Sequence, residues 1–229
     1  MIKFLDKFLI RTNNLDFIAL SFKDLLKNTP VNKIFNSINQ FSSNSEIRYV
    51  GGCVRNIIQK EKVDDIDLAT NLNPQQVCKA LHNNNISFYE TGINHGTITA
   101  VIDDYKFEIT SLREDVDTDG RHAKVKFSAD WKEDASRRDF TINSIYSDAQ
   151  GNLFDPFNGK EDLENGLIKF IGNPEQRIKE DYLRIFRYLR FFLSYSKYKH
   201  DPQTLRSIKK NLDGVSNLSK ERLLDELKK

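Results

Sequence analysis

Two stretches decide the reading: Arg48–Asn56, RYVGGCVRN, and Val63–Thr70, VDDIDLAT. In the first, a β-rich run enters Gly51-Gly52 and a helix is expected to begin nearby. Glycine lets the backbone approach a ligand closely, and a helix N-terminus offers unpaired N–H groups to a phosphate. Arg55 adds a guanidinium whose fork matches phosphate oxygens. In the second, strand alternation puts Asp65 and Asp67 on one face, with Ile66 and Leu68 on the other. Asp64 then points with the apolar set or marks the strand's start. Two carboxylates on one face repel each other, and divalent cations relieve that repulsion; hard Mg²⁺ prefers such oxygen ligands. Singly, each motif has a bland explanation, an ordinary turn or an acidic strand end. Together they place a phosphate cradle and a cation-binding pair in one β-turn-α-β unit.

Outward from this unit, residues 47–171 read as mixed α/β. The β-rich runs are IRYVGG, DDIDLAT, GTITAVI, KFEITSL, KVKF and FTINSIYS. Ile98–Ile102 and Lys106–Thr110, around Asp103-Asp104, predict a hairpin. Asn73-Pro74, Asn173-Pro174 and Asp201-Pro202 read as helix starts, as does Thr29-Pro30. After Pro174 the period becomes helical, with Ile178, Tyr182, Ile185, Phe186, Leu189 and Leu193 near one stripe. Further helices are expected after Pro202 and Ser219. The division expected is an N-terminal helical extension over 1–27, an α/β head over 28–172 and an all-helical neck over 173–229. In the extension, Ile2, Leu5 and Leu9 would share one helix face.

Composition narrows the class. With 38% hydrophobic residues and sixteen Phe among 229 residues, the chain can build a core and falls outside the disordered class. A net charge of +2 leaves nucleic-acid binding to local patches. Cys53 and Cys78 belong to no Cys/His array, so no zinc site is expected, and two thiols fit a reducing, cytosolic setting. No apolar run is long enough for a membrane span.

GGCVRN followed by DDIDLAT resembles the signature of class II tRNA nucleotidyltransferases (CCA-adding enzymes) and the related bacterial poly(A) polymerases. TGINHGTITAVI, FEITSLRED, DGRHAKVKF, RRDFTINSIY, LFDPFNGKEDL and EDYLRIFRYLRF follow in the family's order, so the resemblance covers residues 47–227. Several motifs in order are far more specific than any one. One departure is Asn56, where the family usually has Asp; Asn also bonds backbone groups and can support the turn.

The resemblance implies a nucleotidyltransferase head with a mixed β-sheet, helices on one face and a helical neck, without the family's C-terminal body and tail domains. It implies template-independent addition of CMP and AMP, from CTP and ATP, to the 3′ end of tRNA. Two Mg²⁺ ions would be held by Asp65 and Asp67, and Glu108, in the family's third acidic position, would help organise them. Lys106 and Thr110 would share the face of Glu108, and Phe107 and Ile109 would take the other. Gly51, Gly52 and Arg55 would hold the triphosphate. Arg138, Asp139 and Asn143 match a ribose-recognition motif. Asp181 and Arg184, with Arg187 on the same predicted helix, match the residues that read the incoming base; three apart on a helix, Asp181 and Arg184 would share a face. Arg113 and Arg121 fall in the family's flexible loop. Bland alternatives stand beside these roles: a solvated carboxylate for Glu108, a salt-bridged junction for Asp139, a surface ion pair for Asp181 and Arg184. Other functions also stay open, namely a poly(A) polymerase, a CC- or A-adding specialist, or an inactive truncated RNA-binding module.

Overall fold

The computed structural model describes residues 16–118 and 123–229. The expected face of Ile2, Leu5 and Leu9, and Arg121, lie outside these residues. The chain forms two compact units: one runs to Leu112 and includes Ile145–Phe154, and the other comprises Arg113–Ser144 and Asp155–Lys229. These units follow packing, whereas the boundary near residue 172 follows a change of hydrophobic period.

The first unit begins, among the described residues, with a helix over 16–28, α1. There follow α2 (Val31–Asn39), β1 (Ile47–Val50), α3 (Gly52–Gln59), β2 (Ile66–Thr70), α4 (Pro74–Asn83), β3 (Ser87–Gly92), β4 (Thr97–Ile102) and β5 (Tyr105–Ser111). The chain leaves to form β6 (Arg113–Thr118) and β7 (Ala123–Phe127), then returns with β8 (Tyr146–Ser147) and β9 (Leu153–Phe154). The main sheet has the order β3-β4-β5-β2-β1-β8-β9. Within it β2 and β5 run parallel and the other neighbours antiparallel, so the sheet is mixed.

Alternation explains the core. Ile66 and Leu68 on β2, Phe107 and Ile109 on β5, and Ile98 and Ala100 on β4 are buried in one cluster with Ile34 and Phe35 of α2, Val54 of α3 and Val77 of α4. Ile18 and Phe22 of α1 join the same cluster. The opposite face carries Asp67, Glu108, Thr99 and Thr110. The hairpin forms as expected, with Asp103 taking the positive φ of 53° that its turn needs. Asn73 caps α4 with a reciprocal box through Gln76, and Pro74 occupies the first turn, as the Asn-Pro pattern predicts.

The second unit contains the β6–β7 ribbon, α5 (Trp131–Ser136), a 3-10 turn at Thr141–Asn143, α6 (Gly159–Asn165), α7 (Pro174–Glu180), α8 (Leu183–Tyr195), α9 (Pro202–Lys210), a 3-10 segment at Leu212–Asn217 and α10 (Lys220–Leu227). Asn173, Asp201 and Ser219 cap α7, α9 and α10. FTINSIYS was expected as one β-rich run; it becomes the 3-10 turn and only a two-residue strand. Its polar side chains turn inward instead: Thr141 donates to Asp162 at 2.8 Å and Ser144 to the Thr141 carbonyl at 2.9 Å.

The neck was expected as one helix through Glu180, Asp181, Arg184 and Arg187. It is two, because Asp181 is extended, with φ −157° and ψ 108°. The break resets the phase of the apolar stripe. Ile185, Tyr188 and Phe191 are buried, while Leu193, predicted inside, is 84% exposed. Beside the break the Tyr182 ring packs on Gly214, so close that a Cβ there would come 2.0 Å from it. Gly214→Ala is expected to destabilise the protein by about 1–3 kcal/mol through overpacking, measured as a lower denaturation midpoint at unchanged m-value.

Candidate active site

Asp65 sits one residue before β2 and is exposed, and Asp67 lies within the strand, half-buried. Asp64 marks the approach to the strand rather than joining the apolar face; it pairs with Lys62 at 2.5 Å. Parallel pairing makes Asp67 and Glu108 register partners on the face away from the core. Lys106 and Thr110 share that face, as predicted, and Phe107 and Ile109 are fully buried on the other.

The glycine turn meets this row. Gly51 has φ 70° and ψ −123°, a conformation that only glycine adopts without strain, and Gly52 opens α3. Cys53, in the first turn of α3, sets its Sγ 3.3 Å from the Val50 carbonyl and 3.6 Å from that of Asp67. The helix start is thereby held against the carboxylate strand. Burial first, and the Asp67 charge second, push the Cys53 thiol up to about 12, so it serves as a packed donor and not as a thiolate. A Cβ on Gly52 would lie 3.7 Å from Arg55 Nη2, which places the guanidinium over the helix start. Asn56 donates to the Lys62 carbonyl at 2.9 Å and ties down the loop that delivers Asp65.

Among the described residues no three His, Cys, Asp or Glu side chains gather into a metal cage. The donor set still suits Mg²⁺. This ion keeps several waters and is commonly bound by one or two carboxylates plus substrate phosphates. A carboxylate pair beside a glycine turn at a helix start is compatible with that arrangement.

In the second unit, Asp139 is buried and satisfied. Its Oδ1 accepts from Phe140 N at 2.8 Å and Asn143 Nδ2 at 3.0 Å, and its Oδ2 from Arg187 Nη1 at 3.2 Å. Burial works to raise its pKa, but Arg187, Asn143, Arg184 and the Phe140 N–H together hold it below the ordinary value. Three donors leave the carboxylate a further acceptor position. Arg138 pairs with buried Asp134 at 3.1 Å, as Arg137 does at 2.7 Å. Asp181 and Arg184 do not share a helical face, because the break separates them. Asp181 Oδ1 accepts from Leu183 N at 3.1 Å, at the entry to α8, and its Oδ2 accepts from Arg222 at 2.8 Å. Arg184 donates to Glu180 at 2.6 Å and to the Arg177 carbonyl at 2.7 Å. Arg113 begins the β6–β7 ribbon, and its backbone N–H donates to Asp134.

Sequence reasoning missed Asp134, Arg177, Arg222 and Glu226. Buried Glu226 binds both Arg187 and Arg190, and Arg177 donates to the Arg138 carbonyl at 2.6 Å and to that of Arg137. The contacts of Arg177, Arg222 and Glu226 named here span 36 to 41 residues, so no local pattern signals them, whereas Asp134 meets Arg137 and Arg138 three and four residues on, a spacing the sequence does carry.

Residues 47–169 match the model of the Poly A polymerase head domain family, more than half of the chain. The chain belongs to this family. Among curated members of similar sequence, the human "CCA tRNA nucleotidyltransferase 1, mitochondrial" is 48% identical over 189 residues, which are 81% of this chain and 44% of the human protein. The Lactobacillus johnsonii "CCA-adding enzyme" is 37% identical over 80% of this chain and 46% of its own length. The chain thus spans less than half the length of these relatives. The crystal structure of the Bacillus stearothermophilus CCA-adding enzyme in complex with CTP superposes with a TM-score of 0.74 at 30% identity, over 86% of this chain and 47% of that one. A tRNA nucleotidyltransferase complexed with a primer tRNA and an incoming ATP analog gives 0.67 at 27% identity, over 83% and 55%. The mixed sheet with helices on one face is therefore the family's head domain. No described helix is long and apolar enough to cross a membrane.

Proposed function

We propose that this Poly A polymerase head domain family member is a template-independent RNA nucleotidyltransferase that adds C, C and A to the 3′ end of tRNA from CTP and ATP. The observation that carries the proposal is the meeting of the glycine turn with the carboxylate row, through Cys53 Sγ at 3.6 Å from the Asp67 carbonyl. Binding by similar proteins of CTP, and of tRNA with an ATP analog, supports the choice of substrates. The similar human and Lactobacillus johnsonii proteins are CCA-adding enzymes, which favours CCA addition over polyadenylation.

In this proposal Gly51, Gly52 and Arg55 cradle the triphosphate at the start of α3. Asp65 and Asp67 hold two Mg²⁺ ions, and Glu108 borders them in the same row. Ions held there would supply Lewis acidity toward the attacking 3′-hydroxyl and charge neutralisation for the leaving pyrophosphate. Asp139 uses its remaining acceptor position for the ribose 2′-hydroxyl, and Asn143 and Arg187 fix its orientation. Arg138 contributes through Asp134, as a support for the Asp139 segment. Asp181 and Arg184 offer an acceptor and donors to the base edge, and Arg113 belongs to the ribbon that adjusts specificity.

The test is addition by the purified chain with Mg²⁺ and a tRNA ending at the discriminator base, given CTP, ATP or both. Ordered addition of C, C and A that then stops is the expected outcome. An A tail from ATP alone would make the chain a poly(A) polymerase, and absence of addition at high RNA concentration would refute activity of this chain. Asp181→Ala is expected to erode the preference for the correct nucleotide by about ten-fold, one bidentate contact's worth of discrimination, with little change in Mg²⁺ dependence. Unaltered selectivity would remove Asp181 from base reading.

A further inference from the structure

The sheet face that carries Asp67 and Glu108 continues beyond them. Antiparallel pairing places Thr99 of β4 opposite Glu108, and Tyr89 of β3 opposite Thr99. The row across the sheet is thus Asp67, Glu108, Thr99, Tyr89. Phe88 packs against the core and sits opposite fully buried Ala100, so Tyr89 projects to the carboxylate face. There it is 60% exposed. In the adjoining row on the same face, exposed Lys106 lies opposite Val101, and exposed Ser87 lies beyond it. Among the described residues β3 ends the sheet, with no strand beyond Tyr89.

We propose that the row Glu108–Thr99–Tyr89, with Lys106 beside it, seats the last unpaired nucleotides of the RNA 3′ end, and that the Tyr89 ring is their stacking platform. This rests on the reading of Asp65 and Asp67 given above. The attacking hydroxyl must lie at the carboxylates, so the nucleotides that precede it leave along an adjoining surface. Two strand spacings, about 10 Å, separate the Glu108 and Tyr89 positions, which is about three stacking intervals of a single strand. The surface has the composition such a strand requires: an exposed aromatic for a base, a cation for a phosphate and hydroxyls for sugar contacts. Stacking accepts any base, as it must when the terminal residue changes with each addition.

The probe is an RNA hairpin with an unpaired 3′ end and 4-thiouridine as its penultimate nucleotide, photo-crosslinked to the whole chain and mapped by peptide sequencing. The crosslink is expected on β3 or β4, strongly reduced in Tyr89→Ala and kept in Tyr89→Phe. In steady-state addition, Tyr89→Ala should raise KM for RNA about ten-fold, leave KM for CTP unchanged, and be rescued by Tyr89→Phe. Lys106→Ala should steepen neither the CTP nor the Mg²⁺ dependence but should weaken RNA capture. A crosslink elsewhere, one of equal yield in Tyr89→Ala, or none at all would overturn the site. Asp65→Ala separates the two readings: it should lose addition while keeping the crosslink. A Tyr89-dependent crosslink on a chain whose addition does not need Asp65 would support the site and refute the metal assignment.

Discussion

Asp65→Ala is expected to lower nucleotide addition by on the order of 10³-fold, the loss of about 4 kcal/mol of charge stabilisation at the reacting phosphate. Folding should hardly change. Asp65 is exposed and precedes β2, so it contributes neither a buried ion pair nor a ladder position, and surface substitutions of this kind stay within about 0.5 kcal/mol. The same change at Asp67 should cost as much activity but also some stability, because Asp67 is half-buried within β2. Initial rates over a Mg²⁺ titration, beside a denaturation curve, separate the effects. Asp65→Ala with rates near the parent's at saturating Mg²⁺ would remove Asp65 from the metal site.

Asp139→Ala should have the opposite profile, with a large loss of stability as well as activity. It strips the acceptor from Phe140 N, Asn143 and Arg187 at once. Arg187 keeps Glu226 at 3.3 Å, so the main cost is the Phe140 N–H and the Asn143 amide left without their buried acceptor, about 1–3 kcal/mol, which for a chain of this size corresponds to a melting temperature lower by roughly 2–12 °C. The pH dependence carries a second signature. The folded carboxyl titrates below its ordinary value of 3.8, so the unfolded chain holds more protons between the two values and stability rises with pH across that window. The contribution is complete above the ordinary carboxylate range and is lost as pH falls through the folded value. Asp139→Asn should therefore flatten the acid limb of a plot of stability against pH. An unchanged acid limb would show that the Arg187 pair contributes nothing to folding.

Much of the head was legible because its signals are local. Alternation in VDDIDLAT and KFEITSL separated Asp67 and Glu108 from Leu68, Phe107 and Ile109, and the structure keeps that separation. Asn-Pro and Asp-Pro pairs announced α4, α7 and α9, since a cap and a pre-set φ act within one turn. Helical periodicity in the neck misled, because a stripe counted across Asp181 assumes a continuous helix. The ring of Tyr182 against Gly214, with Arg222 on the Asp181 carboxylate, accompanies the break. Both partners come from segments more than thirty residues further along, which a periodic count does not sample.

By itself the sequence determined which face of the central strands is polar, where most helices begin, and that a glycine turn and a carboxylate pair lie on neighbouring elements. Those properties follow from backbone alternation and capping, which operate over two to four residues. Only the tertiary structure decided that Asp67 is the register partner of Glu108, that Cys53 holds α3 against the strand, and that Asp139, Arg187, Glu226 and Arg190 form one charged network. Strand order and the pairing of buried charges depend on which distant segments exclude water together, and that is a property of the packed chain, not of any stretch within it.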